Sequence, residues 1–132
     1  MKNILILEDN EFRINAFKKQ FIGNPPVFVK TAKDAIEQLN KGNWDVLFLD
    51  HDLGDEVYVA PEEENTGSGV ARWLEKHKDK IPRLVIIHSL NPTGQEYIKA
   101  ILKEAIIMPF AWIILKDDSF EERLNEGNPY DS

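Results

Sequence analysis

Two aliphatic runs in this sequence end abruptly in acid. Ile4-Leu5-Ile6-Leu7 is followed by Glu8-Asp9, and Val46-Leu47-Phe48-Leu49 by Asp50-His51-Asp52 and then Gly54. Short runs without polar interruption read as strands buried on both faces, as in a parallel sheet covered by helices. A carboxylate has no role inside such a strand. At the carboxyl end it stands where open α/β folds bind ligands. Acids gathered there repel one another, a pair of unit charges about 4 Å apart by about 4 kcal/mol at an effective dielectric of about 20. The cluster must keep a proton or take a cation. An all-oxygen donor set favours a hard divalent ion, Mg²⁺ first and Mn²⁺ as the alternative. Such an ion would neutralise the acids and hold a phosphoryl oxygen at the same time.

A third aliphatic run, Leu84-Val85-Ile86-Ile87, ends in His88-Ser89 and continues as Leu90-Asn91-Pro92-Thr93-Gly94. An imidazole at a strand end can donate a proton to a leaving oxygen or hold a phosphate. Ser89 and Asn91 offer neutral donors, and the amides that open the helix after Asn91, near Gly94, form an anion site. Strand alternation lets only one of His88 and Ser89 face the crevice, and the sequence leaves open which one. It also turns His51 away from Asp50 unless the strand has already ended. His77 reads as surface or helix packing, Trp44, Trp73 and Trp112 as packing, and Glu62 to Glu64 as a solvated run.

These residues need a scaffold that brings strand ends together. Strands are expected near 3–7, 27–30, 44–50, 84–88 and 105–110. Helices between them are marked by apolar periodicity, with Phe12, Ala16, Phe17 and Phe21 as the apolar face of the first. Thr31 heads a capping box and Gly42 follows the second helix. Thr66-Gly67-Ser68-Gly69 opens the third, and Asn91-Pro92 reads as N-cap and first residue of the fourth. Residues 111–115 fit either a strand or a packed loop, and 118–126 fit a last helix. Five alternations imply an α/β flavodoxin-like, doubly wound (βα)5 three-layer sandwich with a parallel sheet in the order 2-1-3-4-5. In that order the first and third strands are neighbours, so Glu8, Asp9 and Asp50 would share one crevice.

Composition narrows the class. The 132 residues are 42% hydrophobic and 30% charged, with a net charge of −7 and no cysteine. That fits one globular domain over 1–132, with no effector domain. The acidic balance argues against generic DNA binding, which needs a basic face. Disulfides and thiolate metal sites are excluded. No apolar run approaches the roughly 20 residues that span a membrane, and the N-terminal run is too short and too soon charged for a secretory signal. A cytoplasmic protein is expected.

Over about the first 110 residues the pattern resembles the receiver domain of two-component response regulators. The matching residues are Glu8-Asp9 after the first strand, Asp50 at the third, Gly67 opening the next helix, Ser89 after the fourth, and Pro109-Phe110 at the fifth. The resemblance implies that Asp50 accepts a phosphoryl group from a histidine kinase, with Mg²⁺ nearby. Asp9 and Asp50 would ligate the ion, Glu8 would assist through water, and Asp52 would give a backbone carbonyl. Receivers carry a lysine just before the fifth-strand proline, where this chain has Met108. Lys116 would supply the cation only if 111–115 is the true fifth strand. Ile106 stands at the usual aromatic switch position. His51-Asp52 and the stretch from His88 to Gly94 look like a divergent receiver subgroup proposed to process cyclic phosphate ends.

Three functions follow as expectations. The first is a stand-alone receiver, phosphorylated on Asp50 in phosphorelay signalling by a histidine kinase or small phosphodonor. The second is a metal-dependent phosphohydrolase or phosphodiesterase with His88 as acid or base. It would act on cyclic or terminal phosphates of a small molecule or nucleic acid end. In either case Ser89, Asn91, Gly94 and His51 are candidate anion contacts. The third is a degenerate receiver used as a protein-binding module.

Overall fold

The computed structural model describes residues 2–53 and 60–110. Strand β1 is Ile4–Leu7, β2 Val27–Val29, β3 Val46–Leu49, β4 Leu84–Ile87 and β5 Ile106–Ile107. Helix α1 is Glu11–Gln20, α2 Ala32–Lys41, α3 Gly67–Lys76 and α4 Pro92–Ile101, with a short 3-10 turn at Lys78–Lys80. All strand pairs are parallel, in the order β2-β1-β3-β4-β5. This is the flavodoxin-like arrangement that the alternation of elements implies. β5 is shorter than the span 105–110, although the Met108 amide still donates to the Ile87 carbonyl at 2.8 Å. Residues 111–115, Lys116 and the helix expected at 118–126 lie outside the described residues. Among the described residues no helix is long and apolar enough to cross a membrane.

The sheet separates two cores, as the period of two requires. Leu5, Leu7, Leu47, Leu49, Val85 and Ile87 face α2, α3 and α4. Ile4, Ile6, Val46, Phe48, Leu84 and Ile86 face α1. On α1 the buried positions are Ile14 and Phe17, with Phe21 just beyond its end, while Phe12 is 73% exposed. The expected apolar face was displaced here. Ile14, Phe17 and Phe21 cluster on one side, and Phe12 lies about half a turn from their centre at 3.6 residues per turn.

Helix starts are fixed by side-chain caps. Asn10 accepts from the Arg13 amide, Thr31 from Asp34, Thr66 from Gly69 and Asn91 from Gly94. Each satisfies an amide that has no partner within its helix. Three of these caps stand at the carboxyl edge just after β1, β2 and β4, so the helices start beside the strand ends.

Gly67 brings α3 close to the end of β3. A Cβ there would collide with the Asp50 carbonyl oxygen, which leaves room only for hydrogen. Gly67→Ala is expected to cost about 1–3 kcal/mol, as overpacking does, and urea unfolding measures it. An unchanged midpoint would mean that the contact relaxes freely.

Candidate functional site

Register assembles the site. Leu7 pairs with Leu49 and Leu49 with Ile87, so the next residues, Glu8, Asp50 and His88, fall in one row across β1, β3 and β4. The Asp50 amide donates to Leu7 at 3.2 Å and the His88 amide to Leu49 at 3.0 Å, continuing the ladder past the strand ends. All three side chains follow Ile6, Phe48 and Ile86 toward α1. One ligand atom from each lies within 4.8 Å of the others. Met108 continues the row beside His88 and is buried in the apolar cluster.

Glu8 is fully committed. Its Oε2 accepts from the amides of Asp9 at 3.0 Å and Asn10 at 3.1 Å. Arg13 grips it in a fork, Nε to Oε1 at 2.7 Å and Nη2 to Oε2 at 3.1 Å. His88 Nε2 lies 3.0 Å from Oε1. A carboxylate has about four lone-pair sites, and these contacts occupy them. Burial pushes the Glu8 carboxyl up, but hydrogen bonds from His88 and Arg13, with charge and backbone support, outweigh it and hold it at about 2. With Glu8 ionised, Nε2 of His88 must carry the hydrogen. The ring is sealed edge-on by Phe17 and Phe48, and its Nδ1 has no hydrogen-bond partner among the described residues.

Asp50 is the opposite case. It is 4% exposed. Its Oδ1 accepts from the His51 amide at 2.9 Å, while Oδ2 has no hydrogen bond among the described residues. The nearest cation to Oδ2 is Arg13 Nη2, at 3.6 Å, too far for a hydrogen bond. Burial, then the charge of Glu8, push the Asp50 carboxyl up to about 8 despite Arg13. One oxygen of the row is thus buried with no hydrogen bond among the described residues, and burial beside the Glu8 charge favours its protonated form. That fits a divalent ion. Asp50 is the carboxylate of the row with an oxygen to offer it, whereas the contacts on Glu8 leave none there.

The opposite side of the sheet carries a second group. His51 is buried there, as alternation requires, with Nδ1 2.8 Å from Asp52 Oδ1. Asn91 Nδ2 donates to the same Oδ1 at 3.1 Å, and Asn91 Oδ1 caps α4 at Gly94. Ser89 Oγ accepts from the Asn91 amide at 3.0 Å. A Cβ at Gly94 would strike the His51 ring. Of the two candidates after β4, His88 therefore joins the acids, and Ser89 shapes the entry to α4. His51, Ser89, Asn91 and Gly94 make a latch between the end of β3 and α4. Among the described residues their only hydrogen bond to the row is from the His51 amide. Lys116 lies outside the described residues.

Arg13 was not among the candidates. A signal was present: a lone cation in the first turn of a helix that starts just after Glu8-Asp9. Helix side chains lean toward the N-terminus, so Arg13 reaches back to the strand end.

Stability should record the unpaired acid. Asp50 titrates near 3.8 when unfolded and about 8 when folded, so its contribution is fully present below the first value and lost as pH rises through the second. Glu8 acts in the other sense, its contribution being present above 4.5 and lost as pH falls toward about 2. Asp50→Asn removes the first titration. In chelator, its melting temperature should exceed that of the wild type by more at pH 9 than at pH 5, and Mg²⁺ should narrow the gap. An equal gap at both pH values would contradict this account of Asp50.

Residues 4–104 match the family model described as the cyclic-phosphate processing receiver domain. No curated protein matches significantly. Among solved structures, the chain is similar to the response regulator TrrA of Thermotoga maritima, in complex with Mg²⁺ and BeF. The identity is 17%, over 96% of this chain and 98% of that one, with a TM-score of 0.64. It is also similar to a CheY-like receiver domain protein of Methanospirillum hungatei, 15% identical over 96% and 92%, TM-score 0.64. A sensor protein of Polaromonas gives 17% over 95% and 97%, TM-score 0.65. At these identities the likeness establishes the fold.

Proposed function

The chain belongs to the cyclic-phosphate processing receiver domain family, and from that premise we propose that it is a metal-dependent phosphoryl-handling receiver whose acceptor is Asp50. The observation that carries this reading is the buried Oδ2 of Asp50 at the converging strand ends, which accepts no hydrogen bond from the described residues. Asp50 Oδ2 attacks the phosphorus of a histidine kinase phosphohistidine or of a small phosphodonor. The bond from phosphorus to the leaving group breaks, the leaving group departs with the electron pair, and an aspartyl phosphate remains. The His51 amide holds Oδ1, so that Oδ2 is the free nucleophile. Glu8, pinned by His88 and Arg13, keeps the wall of the crevice rigid. Asp50, Asp9 and the Asp52 carbonyl would hold Mg²⁺ or Mn²⁺, which would supply positive charge for the Asp50 carboxylate and the incoming oxygens. The relative solved with Mg²⁺ and BeF supports that choice.

Incubation with acetyl phosphate and Mg²⁺, followed by intact mass, should show one phosphoryl adduct that Asp50→Asn abolishes. No adduct with any donor would sink the acceptor reading.

A second reading is favoured by the family match and by His88 standing in the row beside Asp50. Here a cyclic phosphodiester is opened. Water adds to phosphorus, one ring P–O bond breaks, the leaving alkoxide takes a proton from the doubly protonated His88 ring, the proton that the water releases restores that ring, and a phosphomonoester results. His88 must first release Glu8 to serve as that acid, which requires Arg13 and the loop amides to hold Glu8 alone. Turnover of a panel of cyclic and terminal phosphates with Mg²⁺ or Mn²⁺, falling by about 100-fold or more in His88→Ala, is the expected signature. Inactivity across the panel would remove this reading while leaving the first.

A further inference from the structure

We propose that Arg13 is the anion-contacting residue of this site and takes an oxygen of a phosphate bound at Asp50 or of a phosphoryl group carried on it. The inference deepens the proposed function and rests on that reading. The row of strand ends, Glu8, Asp50, His88 and Met108, contains two carboxylates and no fixed cation. A phosphate arriving there adds further negative charge, so a positive donor has to come from outside the sheet. Among the described residues, Arg13 is the one cationic side chain of Lys or Arg type within 4 Å of Asp50.

Its setting suits the task. The guanidinium is planar, and Nε and Nη2 are already fixed on Glu8 in a fork. The donor is therefore oriented before any ligand arrives. Nη2 stands 3.6 Å from Oδ2, the oxygen to which a phosphoryl group would be added. Nη1 makes no hydrogen bond among the described residues. The side chain is 27% exposed, so its outer edge is open to an incoming anion. Glu8, saturated and ionised, serves in this arrangement as the anchor for Arg13. Arg13 also stands close enough to Asp50 to oppose a metal cation there by like charge. Its two effects therefore have opposite signs, attraction for the anion and repulsion of the metal.

The test is a calorimetric titration of the whole chain, first with Mg²⁺ alone, then with beryllofluoride or inorganic phosphate in saturating Mg²⁺. Arg13→Gln should weaken anion binding by about 10- to 100-fold, the range for a charge-assisted hydrogen bond, while Mg²⁺ affinity holds or tightens. Arg13→Lys should recover part of the loss. Because Arg13→Gln leaves Glu8 short of its partner, the double variant E8Q/R13Q removes both charges together. Anion binding that stays weak in this double variant supports direct contact. Wild-type affinity restored in it would show that Arg13 only neutralises Glu8, and would overturn the proposal. So would anion affinity within about twofold of wild type in Arg13→Gln, a change below the range for such a bond. The two probes separate the two sources, because beryllofluoride reports a group carried on Asp50 Oδ2 and inorganic phosphate reports one bound beside it. A wild type that binds Mg²⁺ but neither anion would overturn the proposed function and Arg13's role with it. Anion binding by the wild type that is indifferent to Arg13 would overturn the second alone.

Discussion

Two buried carboxylates side by side are the constraint to which the site answers. Parallel pairing in register makes Glu8 and Asp50 neighbours on the same face, and neither can turn to solvent. The protein treats them unequally. Glu8 receives Arg13, His88 and two backbone amides, and it stays ionised at about 2. Asp50 receives one amide and a distant guanidinium, and its carboxyl is pushed up to about 8. Stabilising one acid raises the cost of ionising the other, because the fixed charge of Glu8 acts on Asp50. The result is one structural anion beside one oxygen ready to accept a cation or an electrophile.

The rest of the architecture serves that inequality. Phe17 and Phe21 pack edge-to-face on Phe48 beneath the row and lower the local dielectric, which strengthens both the Glu8 pairing and the penalty on Asp50. Gly67 lets α3 start hard against the Asp50 carbonyl, fixing the backbone that carries the acceptor. On the far side of the sheet, His51, Asp52 and Asn91 tie the segment after β3 to the N-terminus of α4. His51 thus touches both sides, its amide on Asp50 and its ring against Gly94 at the start of α4.

Much of this was legible in the residues. Aliphatic runs ending in Glu8-Asp9, Asp50 and His88 marked three strand ends, and alternation of elements implied the sheet order. The departure at Met108 was visible, and so was the need for another cation. Lys116 was offered for that place and lies outside the described residues, whereas the position of Arg13 beside Asp50 was not legible. Arg13 lies in a helix whose expected apolar face, Phe12, Ala16, Phe17 and Phe21, is correct for the last three and wrong for Phe12. Only the seating of α1 on Phe17 and Phe21 shows that residue 13 reaches the crevice. The bond from Glu8 to His88 was equally hidden, since 80 residues separate them.

By itself, the sequence determined the kinds of donor present and their place at strand ends, because burial of a parallel sheet leaves ionisable groups nowhere else to stand. It also determined that His88 and Ser89 face opposite ways, because a strand alternates with a period of two. Tertiary structure alone decided which of them joins the acids, since that depends on the register between β3 and β4. It likewise decided that Glu8 is saturated while Asp50 Oδ2 accepts no hydrogen bond from the described residues. Those states depend on the docking of a helix and on distances across three strands, and local sequence encodes neither.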